Sequence, residues 1–432
     1  MAGTRGPGQS SAQLAVPPES LVSRYACVRR DTEALCQPLA IEDYGLQAMA
    51  DASPPKWHLA HTTWFFETFL LKPFLQGYRE YHPHYATLFN SYYQAFGPQH
   101  PRAERHLLSR PTVAEVFDYR RHVDEAMQTL LNNPAHTNKV EIAQRTELGC
   151  HHEQQHQELI LTDTKYNLSV NPLRPAYRAD LPQASAPAYT ETSGIEYPGG
   201  MHEIGHSGAG FTFDNETPRH RVYLKPFTLA PALVTNGAYL EFIAAGGYRN
   251  PEYWLADGWR MIQERGWQAP LYWEQRDDGW WHYTLSGMRK LSPEEPVCHV
   301  SYYEADAYAR WAGKRLPREE EWEVVASLLP VTGNLRDSGY LHPVPPAADS
   351  SLPAQMYGDV WEWTQSPYTP YPGYRPPEGA IGEYNGKFMV NQMVLRGGSC
   401  VTPADHIRAT YRNFFYPPDR WQFTGIRLAE DR

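Results

Sequence analysis

Two histidines four residues apart, His152 and His156, carry the strongest chemical signal in this chain of 432 residues. They lie in residues 145–165, a stretch with few helix breakers and many good helix formers, so a helix is predicted there. On a helix, residues i and i+4 stand one above the other on one face. Two imidazoles so placed can grip one metal ion without bending the backbone. Glu158, two residues on, points elsewhere. A polar surface helix is the competing reading, and Glu153, Gln154 and Gln157 suit it. A third ligand must come from another helix. The best candidate is residues 56–67, where His58 and His61 stand among Trp57, Trp64, Phe65 and Phe66. A histidine so surrounded is expected to be partly buried, and a buried imidazole needs a partner.

Four helices are expected to position these groups. The first covers residues 19–36, with apolar residues at helical spacing. The second starts at the signal Asp51-Ala52-Ser53-Pro54-Pro55, runs to about Leu71 and carries His58 and His61. An irregular segment rich in Tyr, His and Pro follows. Thr112 is a cap for the third helix, whose buried side includes Val113, Val116, Phe117, Tyr119, His122 and Val123. The fourth begins near Thr137 and contains the His152/His156 pair. Four long helices in 19–170 predict a bundle, whose core is where facing helices build metal sites. Residues 1–18 read as a disordered tail, and the Pro-rich residues 171–197 as a linker crossing the surface. Over 198–432 helical periodicity fades and Gly, Pro, Trp and Tyr punctuate short segments, which predicts a loop-rich α+β domain.

Hydrophobic residues make up 41% of the chain and charged ones 20%, values of a soluble globular protein too long for one core. Aromatics reach 13%, which favours pockets lined by rings. A net charge of −10 argues against nucleic-acid binding, and no apolar run reaches membrane-spanning length. The five cysteines are widely spaced with no Cys-x-x-Cys, which predicts a reducing, cytoplasmic setting.

Several segments carry a family resemblance. Pro198-Gly199-Gly200-Met201, Asn215-Glu216-Thr217-Pro218-Arg219, Arg315-Leu316-Pro317-Arg318-Glu319-Glu320-Glu321-Trp322, Gly358-Asp359-Val360-Trp361-Glu362-Trp363, Arg396-Gly397-Gly398-Ser399 and Gly425-Ile426-Arg427 form an ordered set. Together they resemble the formylglycine-generating-enzyme (sulfatase-modifying factor) fold, a variant of the C-type lectin fold. Most, Trp361 and Trp363 included, are expected to be structural. Formylglycine-generating enzymes use a cysteine pair near the Gly-Gly-Ser segment; Cys400 stands alone there, which argues against that activity. The first half resembles the DinB-like metal-binding four-helix bundle. Such a bundle fused to such a domain, with His152-x-x-x-His156-x-Glu158 and Trp57-His58-x-x-His61-Thr62-Thr63-Trp64-Phe65-Phe66-Glu67, resembles the ergothioneine-biosynthesis sulfoxide synthases.

That resemblance implies a non-haem Fe(II) held by His61, His152 and His156, with His58 and His151 supporting them. It implies joining of hercynine (trimethylhistidine) to the sulfur of cysteine or γ-glutamylcysteine, with dioxygen as oxidant. The substrates supply all the electrons, in keeping with the absence of a dinucleotide fingerprint. Tyr92 and Tyr93 are candidate proton donors, since a phenol is a donor of high pKa. By the same resemblance Gln155 meets the hercynine carboxylate, and Asn413, Phe414 and Phe415 meet its trimethylammonium group, which is drawn to ring faces. Some relatives have Trp-Asp at Phe414-Phe415, which favours cysteine as the thiol. Arg102 and Arg105 could clamp the thiol substrate's carboxylate; a surface loop paired with Glu104 is the alternative. Two other classes compete: a zinc-dependent thiol transferase built on the bundle, and a non-enzymatic ligand-binding protein using the lectin-like domain.

Overall fold

The computed structural model describes residues 20–133, 135–184, 193–346 and 353–432, so the expected N-terminal tail lies outside the described residues. Four long helices form the first half. Helix α1 (Leu21–Cys36) is capped by Ser20, whose side chain accepts from the Ser23 amide. Helix α2 (Pro55–Phe66) begins on a proline, which needs no amide partner at that position. It continues to Leu71 through one π-helical turn, Glu67–Leu71. Helix α3 (Val113–Leu131) starts with the predicted cap at Thr112, completed by Glu115 as a capping box. Helix α4 (Lys139–Ser169) has 31 residues and packs on both α1 and α2. On α3 Val116, Tyr119 and Val123 are buried as expected, Val113, Phe117 and His122 are only half-buried, and the buried side runs on through Arg120, Met127 and Leu130.

The bundle core is unusually polar. Glu153 is fully buried and receives Arg29 at 2.8 Å and Arg120 at 3.0 Å. Gln157 donates to the Val28 carbonyl and to Thr32, both at 3.0 Å. The three residues that suited a polar surface helix, Glu153, Gln154 and Gln157, are all buried. The reason is that α4 has no exposed residue from Arg145 to Ser169, because the second half covers what the bundle leaves open.

Among the described residues, that second half holds four small sheets. Strands β1 (Ile195–Tyr197), β4 (Phe227–Leu229) and β12 (Ala429–Asp431) form one, antiparallel throughout, and β2 (Gly200–Ile204) pairs with β3 (His220–Leu224). Strands β5 (Trp273–Arg276), β6 (Gly279–Thr284) and β7 (Gly287–Lys290) make a meander. The last sheet has the order β10-β9-β8-β11, from β8 (Trp361–Pro367), β9 (Met393–Arg396), β10 (Asn413–Phe415) and β11 (Thr424–Gly425), with only β11 parallel to its neighbour. Its motif residues are largely interior. Trp363 donates to the Val300 carbonyl at 2.9 Å, Trp322 and Arg427 share Glu362, and Arg396 and Arg412 share Glu319. Gly358 adopts φ +82, and a Cβ there would lie 2.3 Å from the Asn334 carbonyl oxygen, so only glycine fits. Trp361 does more than fill the core: its indole donates to Glu158 of α4 at 2.6 Å.

Residues 171–184 do not simply cross the surface. Tyr177 and Leu181 are buried between the halves, and Tyr177 donates to the Leu35 carbonyl at 2.7 Å. The rest of the expected linker, 185–192, lies outside the described residues. Among the described residues no helix is long and apolar enough to cross a membrane.

Candidate metal centre and substrate cavity

His61 comes from α2 and His152 and His156 from α4, and the three offer ring nitrogens all within 4.8 Å of one another. The rings form a nearly regular triangle, with centroids 4.7–5.0 Å apart. His61 is fixed by flat stacking between Trp57 at 4.6 Å and Trp64 at 5.7 Å. Its Nδ1–H donates to the Phe89 carbonyl at 2.6 Å, so its lone pair is on Nε2. That Nε2 lies 3.2 Å from Nε2 of His152, a spacing that suits two adjacent ligands each about 2.1 Å from one metal. Among the described residues, Nδ1 of His152 is buried without a partner.

Burial pushes all three pKa values down, that of His152 to about 3 and those of His61 and His156 well below the usual imidazole range. Neutral imidazoles are what a metal needs. The donor set therefore fits a divalent transition metal, and three ligands leave coordination positions for substrates. His58 does not join the triad: it reaches His156 at 2.8 Å and Asp163 at 3.1 Å. His151 is at the seam between the halves, 2.9 Å from His406 and stacked on Phe211.

A cavity of about 340 Å³ opens beside the triad, between α4 and the C-terminal sheet. Tyr92, Arg102, Arg105, Gln155, Asn413, Phe414 and Phe415, separated by hundreds of residues in sequence, all line it together with His152 and His156. Tyr93 does not line it. It is fully buried against Trp64 and Phe69, with its hydroxyl 3.4 Å from that of Tyr92. Burial pushes both phenols up. Arg105 is buried with its guanidinium 3.3 Å above the Trp57 ring; it donates to Ser53 at 2.7 Å. Among the described residues it has no carboxylate partner, and neither it nor the exposed Arg102 pairs with Glu104. Phe414 stacks on Tyr368 at 4.1 Å.

Tyr384 and Tyr411 also line the cavity and had no signal in the sequence. Gln155 is held between Tyr411, to which it donates at 2.8 Å, and Tyr384, whose hydroxyl donates to its carbonyl. The Tyr384 ring is 5.8 Å from that of His152. It sits in an irregular stretch where Glu383 accepts from the amides of Gln94 and Ala95, so tertiary docking alone brings it in. Glu158 accepts from Trp361, Ser399 and Thr402 at 2.6, 2.9 and 2.8 Å, and clasps the two halves together.

A second convergence, His282, Glu295 and His342, lies in the C-terminal half. Arg289 occupies it: its Nε donates to His282 at 3.0 Å and its Nη2 to the Glu295 carboxylate.

Residues 24–160 match the DinB superfamily, and 179–341 and 343–432 match the sulfatase-modifying factor enzyme 1-like domain. The hercynine oxygenase of Mycolicibacterium smegmatis is 34% identical over 407 residues, covering 88% of this chain and 91% of that protein. This chain belongs to the hercynine oxygenase family. A second hercynine oxygenase, from Mycolicibacterium thermoresistibile, is 38% identical over 245 residues, 51% of this chain and 54% of its own. The formylglycine-generating enzyme of Streptomyces coelicolor is 29% identical over 303 residues, 60% of this chain and 95% of its own. Likeness to the Mycolicibacterium smegmatis hercynine oxygenase thus spans both halves, whereas the formylglycine-generating enzyme matches little more than one.

Proposed function

We propose that the chain is an Fe(II)- and dioxygen-dependent sulfoxide synthase of ergothioneine biosynthesis that joins hercynine to cysteine, with γ-glutamylcysteine as the alternative thiol. The observation that carries this reading is a neutral three-histidine cluster opening into a cavity with aromatic faces and an unpaired guanidinium. The reaction breaks a C–H and an S–H bond, makes a C–S and an S–O bond, and reduces one dioxygen to the sulfoxide oxygen and water. Iron held by His61, His152 and His156 would supply the activation of dioxygen. Phe414, Phe415 and Asn413 receive the trimethylammonium group, and Gln155 the carboxylate, whose position Tyr384 and Tyr411 fix through the carboxamide. Arg105, assisted by Arg102, receives the carboxylate of the thiol. Tyr92 donates a proton into the cavity, with Tyr93 behind it. We read 19–170 as the metal-binding domain and 198–432 as the domain that walls the substrates. All five cysteines are free, which supports a cytoplasmic site of action.

Oxygen uptake by the iron-loaded protein tests the reading. Uptake is expected only with hercynine and a thiol together. Uptake with the thiol alone, or turnover equally supported by zinc, would overturn it in favour of a thiol oxidase or a zinc thiol transferase. Tyr92→Phe should lower turnover by about 10²-fold with substrate affinity retained. It should also lower the hercynine consumed per dioxygen, because an oxidant without its proton donor would take the thiol sulfur instead. An unchanged rate and ratio in Tyr92→Phe, Tyr93→Phe and the double variant would remove both from the mechanism.

A further inference from the structure

Trp421 belongs to the C-terminal half, yet its indole N–H donates to Asp163 Oδ1 on α4 at 3.1 Å. The other oxygen, Oδ2, accepts from the Ser53 amide at 2.8 Å and meets His58 Nε2 at 3.1 Å. All four groups are buried. A carboxylate can only accept, so the neutral His58 carries its ring proton on Nε2. Its Nδ1 is then an acceptor, and the donor across the 2.8 Å contact must be His156 Nδ1. That leaves the His156 lone pair on Nε2, free to join those of His61 and His152. Trp421 also sets its ring against Phe415, which lines the cavity, with centroids 6.1 Å apart.

We propose that Trp421 is a positioning residue for the metal centre: through Asp163 and His58 it holds His156 in the tautomer that can ligate. The C-terminal half thereby sets the metal affinity of a site to which it gives no ligand. This rests on the reading of the triad as a metal centre.

Asp163→Asn separates a relay from mere packing. A carboxamide cannot accept from His58, Ser53 and Trp421 at once. With its NH2 on one side it faces the Trp421 indole N–H; with its NH2 on the other it faces the Ser53 amide and can donate to His58, which turns the His156 tautomer the wrong way. Trp421→Phe removes the first conflict, so the carboxamide can aim its oxygen at Ser53 and His58. The test is titration of the full chain with cobalt(II) alone, read by its visible absorption, with helical circular dichroism as a check on folding. Asp163→Asn is expected to bind about 10–100-fold more weakly, Trp421→Phe several-fold more weakly, and the double variant more tightly than Asp163→Asn. A network that only supports packing gives losses that add. Wild-type affinity in both single variants, or additive losses in the double, would overturn the relay alone. Failure of the wild type to bind cobalt would overturn the metal centre and the relay with it. Trp421→Phe keeps an aromatic ring beside Phe415, so wild-type affinity in that variant overturns the relay even if Asp163→Asn does not fold.

Discussion

The two histidine clusters are made of similar parts and differ in charge. His61, His152 and His156 converge with no cation among them, and their outer contacts are a carbonyl and a neighbouring imidazole. His282, Glu295 and His342 converge equally well, but the Arg289 guanidinium already bonds both His282 and Glu295. A divalent ion there would meet a positive charge at contact distance, whereas in the triad it would meet only lone pairs. Convergence of ligand-type residues is therefore not enough; the charge already present decides. The two arginines repeat the contrast. Arg289 has its carboxylate within the protein, whereas Arg105 waits beside a cavity without one and is suited to a carboxylate arriving from outside.

The largest expected effect breaks the comparison outright. His152→Ala or His156→Ala should abolish metal binding while most helical content remains, whereas His282→Ala or His342→Ala should leave the metal content unchanged, as measured by elemental analysis. His58→Ala should be far milder than His61→Ala; the reverse order would reassign the ligand. Next, Arg289→Ala leaves the buried Glu295 carboxylate with only His342 beside it among the described residues and should cost about 3 kcal/mol in denaturant unfolding. Placed in a His61→Ala background, it should also gain a zinc-dependent rise in melting temperature that the parent lacks, because removing the cation opens the second cluster. Arg105→Met should weaken thiol binding by about 2 kcal/mol, the scale of a charge-assisted hydrogen bond, with hercynine affinity retained; equal weakening of both would mean a packing defect. The smallest effect is expected from Phe414→Leu or Phe415→Leu, about 0.5–2 kcal/mol in hercynine binding, checked by titration against the unaffected thiol.

The helix that carries His152 and His156 was legible because a four-residue spacing on a helix is a local property. So were the Thr112 cap and the stretch carrying His61. The C-terminal architecture was legible only as an ordered set of motifs, since its strands are short and paired out of sequence order. Burial of Glu153, Gln154 and Gln157 was not legible: a helix enclosed on all sides by polar partners has no apolar stripe to reveal it. Tyr384, Tyr411 and Trp421 were hidden for a related reason. Each reaches the site from an irregular segment whose position depends on the closing of one half against the other, and nothing in the neighbouring residues marks that arrival. The surface path expected for residues 171–184 failed at Tyr177, whose ring and hydroxyl both find partners between the halves.

Helix α4 presents His156 to the triad and, two residues later and about 200° further round, Glu158 to the clasp of Trp361, Ser399 and Thr402. Each residue added or removed between them would swing one set of contacts by about 100° relative to the other. Side chains along this segment can drift, provided their partners drift with them, but the number of residues cannot. Among variants of this chain, insertions and deletions should be excluded from 152–165 more strictly than any single substitution, and the gaps that accumulate over time should collect at its ends.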